Sequence, residues 1–218
     1  MARTLVIGNK NYSSWSMRPW LALKATNIAF DEVLIPLYTG DADKRRILAF
    51  TDSGKVPVLV DGDVTIWESL AIIEYAAERF LKAQLWPDDV AARAHARAVS
   101  AEMHSGFAAL RNECGMNIHR PVGPKTLSEA AQADIARIKQ IWTDCRERYG
   151  RFGPYLFGGF SGADAMFAPV VHRFRSYAIE LDPISQGYVE VMRALPAFRE
   201  WTEAALAETL IIPKFEED

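Results

Sequence analysis

The chain has 218 residues, of which 50% are hydrophobic and 24% charged. That is an ordinary globular composition, long enough for one large or two small domains around a sizeable core. A formal net charge of −3 disfavours nucleic-acid binding, and no apolar run approaches the roughly 18 residues of a membrane span.

The opening Met-Ala-Arg-Thr-Leu-Val-Ile has too short an apolar part for a secretory signal and leads straight into a predicted strand over residues 4–7. A helix is expected over 16–25, with Trp20, Leu21 and Leu23 as its apolar face. A second strand follows over 31–37, ended by Pro36, and then a short charged helix or loop over 43–50. Residues 58–60 and 64–67 read as a hairpin turning at Asp61-Gly62, and a helix runs from 69 to about 81. Strand, helix, strand, then helix, strand, strand, helix is the thioredoxin order.

Beyond Asp89 no strand is expected. Residues 91–112 form one long predicted helix, with Val99, Met103, Phe107 and Leu110 on one face. A second helix spans 127–148, and the glycine-rich stretch 149–162 is a loop. Ser161 and Asp164 make an S-x-x-D start for a helix over 163–179. Shorter helices are expected over 186–194 and 196–207. The division is therefore an α/β thioredoxin-like domain over 1–83 and an all-α domain over 89–218. The two cysteines, Cys114 and Cys145, form no CxxC and suit a reducing compartment, so a cytoplasmic location is expected. The histidines show no metal-ligand spacing, so no metal is expected.

Residues 54–69, Gly-Lys-Val-Pro-Val-Leu-Val-Asp-Gly-Asp-Val-Thr-Ile-Trp-Glu-Ser, carry the most chemistry. Pro57 opens a strand without an N–H to donate, and a cis Val56–Pro57 bond would turn the Val56 peptide unit outward, toward an extended peptide. At the start of the next helix, Ser69 and the free amides offer donors to a carboxylate, and Glu68 offers a charge to an ammonium. Together they suit a small peptide that begins with an amino-acid zwitterion. The block, with Glu68-Ser-Leu-Ala-Ile-Ile-Glu-Tyr, resembles the glutathione-binding half of the soluble glutathione transferases, in the zeta and related serine-type classes. The resemblance is sharp over residues 1–82 and architectural afterwards, apart from the Ser161–Asp164 motif.

That resemblance implies an N-terminal thioredoxin-like domain, a helical domain forming an electrophile pocket, glutathione as co-substrate with no metal or prosthetic group, and a homodimer. It assigns Lys55, Val56, Pro57, Glu68 and Ser69 to glutathione. The thiol of free glutathione is mostly protonated at neutral pH, so a hydroxyl at a helix N-terminus is needed to favour its thiolate. In Asn11-Tyr12-Ser13-Ser14-Trp15-Ser16-Met17-Arg18-Pro19 the aligned catalytic position is Ser13, with Ser14 and Tyr12 as runners-up. Serines before a helix also serve as ordinary caps.

Trp15 stands where the zeta class has a cysteine, which speaks against zeta-type isomerisation and against thiol-transferase chemistry of the omega kind. Met103, Phe107, Leu110 and Arg111 are the candidates for the electrophile pocket, with plain core packing as the alternative for the three apolar ones. Arg111 and Arg173 are placed to meet an anionic co-substrate, or are plain surface arginines. The alternatives are a non-catalytic binding or regulatory module, and glutathione-dependent isomerase, peroxidase or dehalogenase chemistry at the same site.

Overall fold

The computed structural model describes residues 3–216. The first half builds β1 (Arg3–Ile7), α1 (Ser14–Ala25), β2 (Asp31–Leu34), α2 (Asp41–Leu48), β3 (Val58–Asp61), β4 (Val64–Trp67) and α3 (Ser69–Arg79). Their sheet has the order β2-β1-β3-β4, with β1 and β2 parallel and the other pairs antiparallel. β1 is covered on both faces, which explains its unbroken Leu-Val-Ile run. Leu5 and Ile7 join the main core with Met17, Leu21, Leu59 and Ile72. Val6 packs on the opposite face with Ile35, Ile47 and Val58.

The second half is helical: α4 (Val90–Ser105), α5 (Ala108–Glu113), α6 (Glu129–Tyr149), α7 (Gly162–Ser176), α8 (Pro183–Ala194) and α9 (Pro196–Leu206). α7 is the central rod, with every residue buried except Arg175. Asp164 holds its first turn, accepting from the Ser161 N–H at 2.8 Å, the Ser161 hydroxyl at 2.9 Å and the Leu156 N–H at 3.0 Å. The glycine at 162 is required by packing, since a Cβ there would stand 2.7 Å from the Trp86 ring and 2.9 Å from Ile73 Cγ2.

Several predicted boundaries move, each for a local reason. The long helix over 91–112 is two helices. The chain breaks where Gly106 caps α4 and Phe107 adopts φ 58°, and a new start follows with Asp134 accepting from the Leu110 N–H at 3.0 Å. The first helix begins at Ser14, two residues early, because Ser13 and not a later serine is its N-cap. β2 ends at Leu34, since Pro36 has no N–H to pair and the side chain of Asn9 takes the Leu37 N–H at 2.8 Å. α8 begins at Pro183, where the carboxylate of Asp182 caps Ile184 and Ser185.

Candidate active site between the sheet edge and the helical domain

The turn into α3 is strained where it matters. Glu68, the N-cap, has φ 73°, and the hydroxyl of Ser69 is fully buried with no hydrogen-bond partner among the described residues. A non-glycine residue at positive φ and an orphaned buried hydroxyl are both unfavourable. Side by side at a helix N-terminus they put an unsatisfied hydroxyl next to the unpaired amides of the first turn. The Glu68 carboxylate is half-exposed and lies 3.7 Å from His104 Nε2. Burial, and then the charge of Arg18, holds His104 below the ordinary histidine range despite Glu68, so at neutral pH this contact is not a charge pair.

The Val56–Pro57 peptide bond is cis. Val56 and Lys55 line a cavity of about 410 Å³ together with Ser13, Trp15, Leu37, Tyr38 and Lys44. A second cavity of about 390 Å³ shares Ser13, Trp15, Leu37 and Tyr38, and adds Ser14, Arg111, Met116, Arg173 and Phe215. The two are halves of one cleft that meet at Ser13.

The three nominated hydroxyls on that cleft have different partners. Ser13 Oγ is the N-cap: it accepts from the Ser16 N–H at 3.3 Å and donates to Ser16 Oγ at 2.7 Å. Ser14 Oγ accepts from Arg173 Nη2 at 3.3 Å. Tyr12 Oη donates to Glu216 Oε1 at 2.5 Å and accepts from the Ile212 N–H at 3.3 Å. Its pKa is raised, first by burial and then by Glu216. Tyr12 is thus engaged by the C-terminal segment.

Behind the serines lies a cluster of guanidinium groups. Arg18 is fully buried; its Nε donates to the Met166 carbonyl at 3.0 Å, and its Nη1 has no hydrogen-bond partner among the described residues. Burial, and then Arg173 and Arg111, lower Arg18 to about 9, so it stays protonated at neutral pH. Arg173 is buried as well, lowered to about 10 by desolvation. Trp15 lies between, its ring 4.3 Å from the Arg18 Cζ and 5.3 Å from the Arg111 Cζ. Among the described residues no carboxylate lies within ion-pair distance of Arg18, Arg111 or Arg173. Such a site has a deficit of negative charge.

Comparison with known proteins interprets this arrangement. Residues 12–79 match the family description "Glutathione S-transferase, N-terminal domain" and residues 128–204 match "Glutathione S-transferase, C-terminal domain". The chain belongs to the glutathione S-transferase family. A relative named "Probable maleylacetoacetate isomerase" from Caenorhabditis elegans is 42% identical over 100 residues, 45% of each chain. "Glutathione S-transferase Z2" of Arabidopsis thaliana is 26% identical over 87% of this chain and 88% of its own. The crystal structure of a glutathione transferase homologue from Burkholderia GL BGR1 with bound glutathione superposes with a TM-score of 0.70 at 25% identity, covering 95% of this chain and all of that one.

Within this transferase fold the nominated residues separate. Ser13, Ser14, Lys55, Val56 and Arg111 line the two halves of the cleft, with Tyr12 at the edge beside the C-terminal segment. Glu68 and Ser69 stand at the start of α3, linked to the cluster through His104, whose ring is 5.2 Å from that of Trp15. Met103, Phe107 and Leu110 do not line the cleft; they are buried in the main core at 1, 7 and 0% exposure. The cleft's apolar walls are instead Tyr38, Met116 and Phe215, which sequence reading did not nominate. Phe215 meets the rings of Tyr12 and Tyr38 at 5.5 and 5.2 Å, and only its Pro-Lys-Phe context near the chain end offered a signal. Among the described residues there is no group of His, Cys, Asp and Glu able to hold a metal ion, and no helix is long and apolar enough to cross a membrane.

Proposed function

We propose that this chain is a glutathione transferase that ionises the thiol of glutathione for attack on an electrophilic carbon. The single observation that carries the reading is the buried, unpartnered Ser69 hydroxyl at the strained Glu68–Ser69 start of α3. There the γ-glutamyl carboxylate would accept from Ser69 and the first amides of the helix, and Glu68 would hold the ammonium. The Val56 backbone would pair with the cysteinyl unit beside Pro57, and Lys55 would face the glycyl carboxylate. The sulfur then lies at the Ser13–Ser14 turn, where α1 begins and the thiolate is favoured by hydroxyl donation and by the helix terminus. The electrophile enters the half of the cleft walled by Tyr38, Met116 and Phe215. A homodimer in the cytoplasm completes the proposal, with the glutathione-binding domain over 1–83 and the helical domain over 89–218.

Calorimetric titration with reduced glutathione, beside a Glu68→Gln, Ser69→Ala double variant, tests it. The wild type is expected to bind at millimolar or tighter, about −4 kcal/mol or better, and the double variant to lose that binding. A wild type that binds no glutathione ends the transferase reading and leaves an interaction module with the same fold. A positive result directs a panel of aryl halide, epoxide, enone and peroxide substrates to the cleft.

A further inference from the structure

Ser13 and Ser14 both face the cleft, and their hydrogen bonds separate them. The proton of Ser13 goes to Ser16 Oγ at 2.7 Å and its oxygen receives the Ser16 N–H. Pointing that proton at a ligand would give up its bond to Ser16 Oγ. Ser14 is arranged the other way. Its oxygen accepts from Arg173, and among the described residues its own proton has no acceptor.

We propose that Arg173 is a positioning residue for thiol ionisation: its guanidinium holds Ser14 Oγ so that the Ser14 proton points at the glutathione sulfur, and Ser14, not Ser13, stabilises the thiolate. The proposal rests on the transferase reading above and assigns the role within it. The fork of Arg173 is fixed at three points, since Nη1 donates to the carbonyls of Cys114 and Arg111 while Nη2 donates to Ser14. A hydroxyl whose oxygen accepts from a cation is a stronger donor, because each bond in the chain polarises the next. Arg173 is also a buried cation without a carboxylate partner, so an anion formed one hydroxyl away supplies the missing charge.

The step balances simply. The S–H bond breaks, its proton passes to water in the open cleft, and the electron pair stays on sulfur, where the Ser14 O–H donates to it. The charged and titratable groups facing Arg173 are Arg18 from α1, Arg111 and Cys114 from α5 and its end, and Tyr177 after its own helix. Burial raises the Cys114 thiol, so near neutral pH the groups around Arg173 that bear charge are arginines.

The test is the pH titration of thiolate absorbance of bound reduced glutathione in the wild type, Ser13→Ala, Ser14→Ala, Arg173→Lys and the Ser14→Ala, Arg173→Lys double variant. Calorimetry first establishes glutathione binding for each. Ser14→Ala and Arg173→Lys are each expected to raise the apparent thiol pKa by about one unit, a tenfold loss of thiolate at neutral pH. The double variant should shift no further than either single one, and Ser13→Ala should shift the pKa by less than Ser14→Ala does. A shift in Ser13→Ala with none in Ser14→Ala overturns the proposal. So do additive shifts in the double variant, which would make Arg173 a distant charge acting without Ser14. If Arg173→Lys does not fold, Ser14→Ala against Ser14→Thr decides: the hydroxyl of threonine should restore the low pKa, and its failure to do so counts against the assignment. Absence of glutathione binding in the wild type would appear in the calorimetry and ends the transferase reading itself.

Discussion

Tyr12 and Glu216 are joined by a 2.5 Å hydrogen bond across 204 residues of sequence. The bond ties the loop after β1 to the C-terminal segment, and Asn117 Nδ2 reinforces it by donating to the same Glu216 oxygen at 3.0 Å. The Tyr12 proton is therefore engaged by a carboxylate, and the phenol is held above its ordinary pKa by burial and by Glu216.

Tyr12→Phe should accordingly leave the pKa of bound glutathione unchanged. It should lower stability by about 1–2 kcal/mol, because it removes a hydrogen bond to a charged group. It should also loosen the segment that carries Phe215 into the cleft, raising KM for an apolar electrophile more than KM for glutathione. Denaturant unfolding, the thiolate titration and steady-state kinetics read the three effects. A raised thiol pKa in this variant would restore Tyr12 as the activating group.

Ser69→Ala separates ligand from fold. The Ser69 hydroxyl is buried and has no hydrogen-bond partner among the described residues, so its removal should leave stability unchanged or slightly higher. Glutathione affinity should fall by about tenfold, the worth of one hydrogen bond to a carboxylate. Urea unfolding and calorimetry on the same sample give both numbers. A variant that loses stability while keeping its affinity would mean that the hydroxyl serves the helix and not the ligand.

Much of this was legible beforehand because it is local. Pro57, the Asp61-Gly62 turn and the Glu68-Ser69 pair punctuate the chain within a few residues, so the α/β half could be laid out from sequence and the residues proposed for glutathione nominated from it. The break at Gly106–Phe107 was hidden because the apolar positions Val99, Met103, Phe107 and Leu110 keep their helical spacing across it, and all four face the core on either side. The serine assignment was hidden for another reason. Ser13 and Ser14 are neighbours of identical chemistry, distinguished only by Ser16 on one side and by Arg173, 159 residues away, on the other. Phe215 reaches the cleft, and Glu216 reaches Tyr12, through contacts of similar range, which no periodicity encodes.

Asp164 is expected to be the most costly polar residue of the helical half. Its carboxylate accepts from Leu156, from Ser161 twice, and from the Tyr188 hydroxyl at 3.2 Å, all in the core. Asp164→Ala strands those donors, each worth about 1–3 kcal/mol when left unsatisfied, so a loss of about 3 kcal/mol or more is expected. Ser161→Ala should cost roughly 1 kcal/mol. Chemical denaturation measures both, and an Asp164→Ala variant within about 0.5 kcal/mol of wild type would contradict the capping account.

His172 should govern part of the acid response. Its ring is buried, stacked on Phe198 with centroids 4.5 Å apart, and lowered from 6.5 to about 3 by burial and then by the charges of Arg175 and Arg193. Its folded pKa is depressed, so between about 6.5 and 3 the unfolded chain binds the extra proton. The stability that His172 contributes is thus present above about 6.5 and lost as pH falls toward 3, at about 1.4 kcal/mol per pH unit. Asp164 has the opposite sign: burial raises it from 3.8 to about 6, so its contribution is present below 3.8 and lost as pH rises through 6. The two oppose each other between those values. In His172→Phe the Asp164 effect is unmasked, and the variant should gain stability on acidification from about pH 6 to 4 relative to the wild type. Urea unfolding of both proteins across that range measures the difference curve, and a difference that does not change with pH would mean that His172 is not held neutral in the fold.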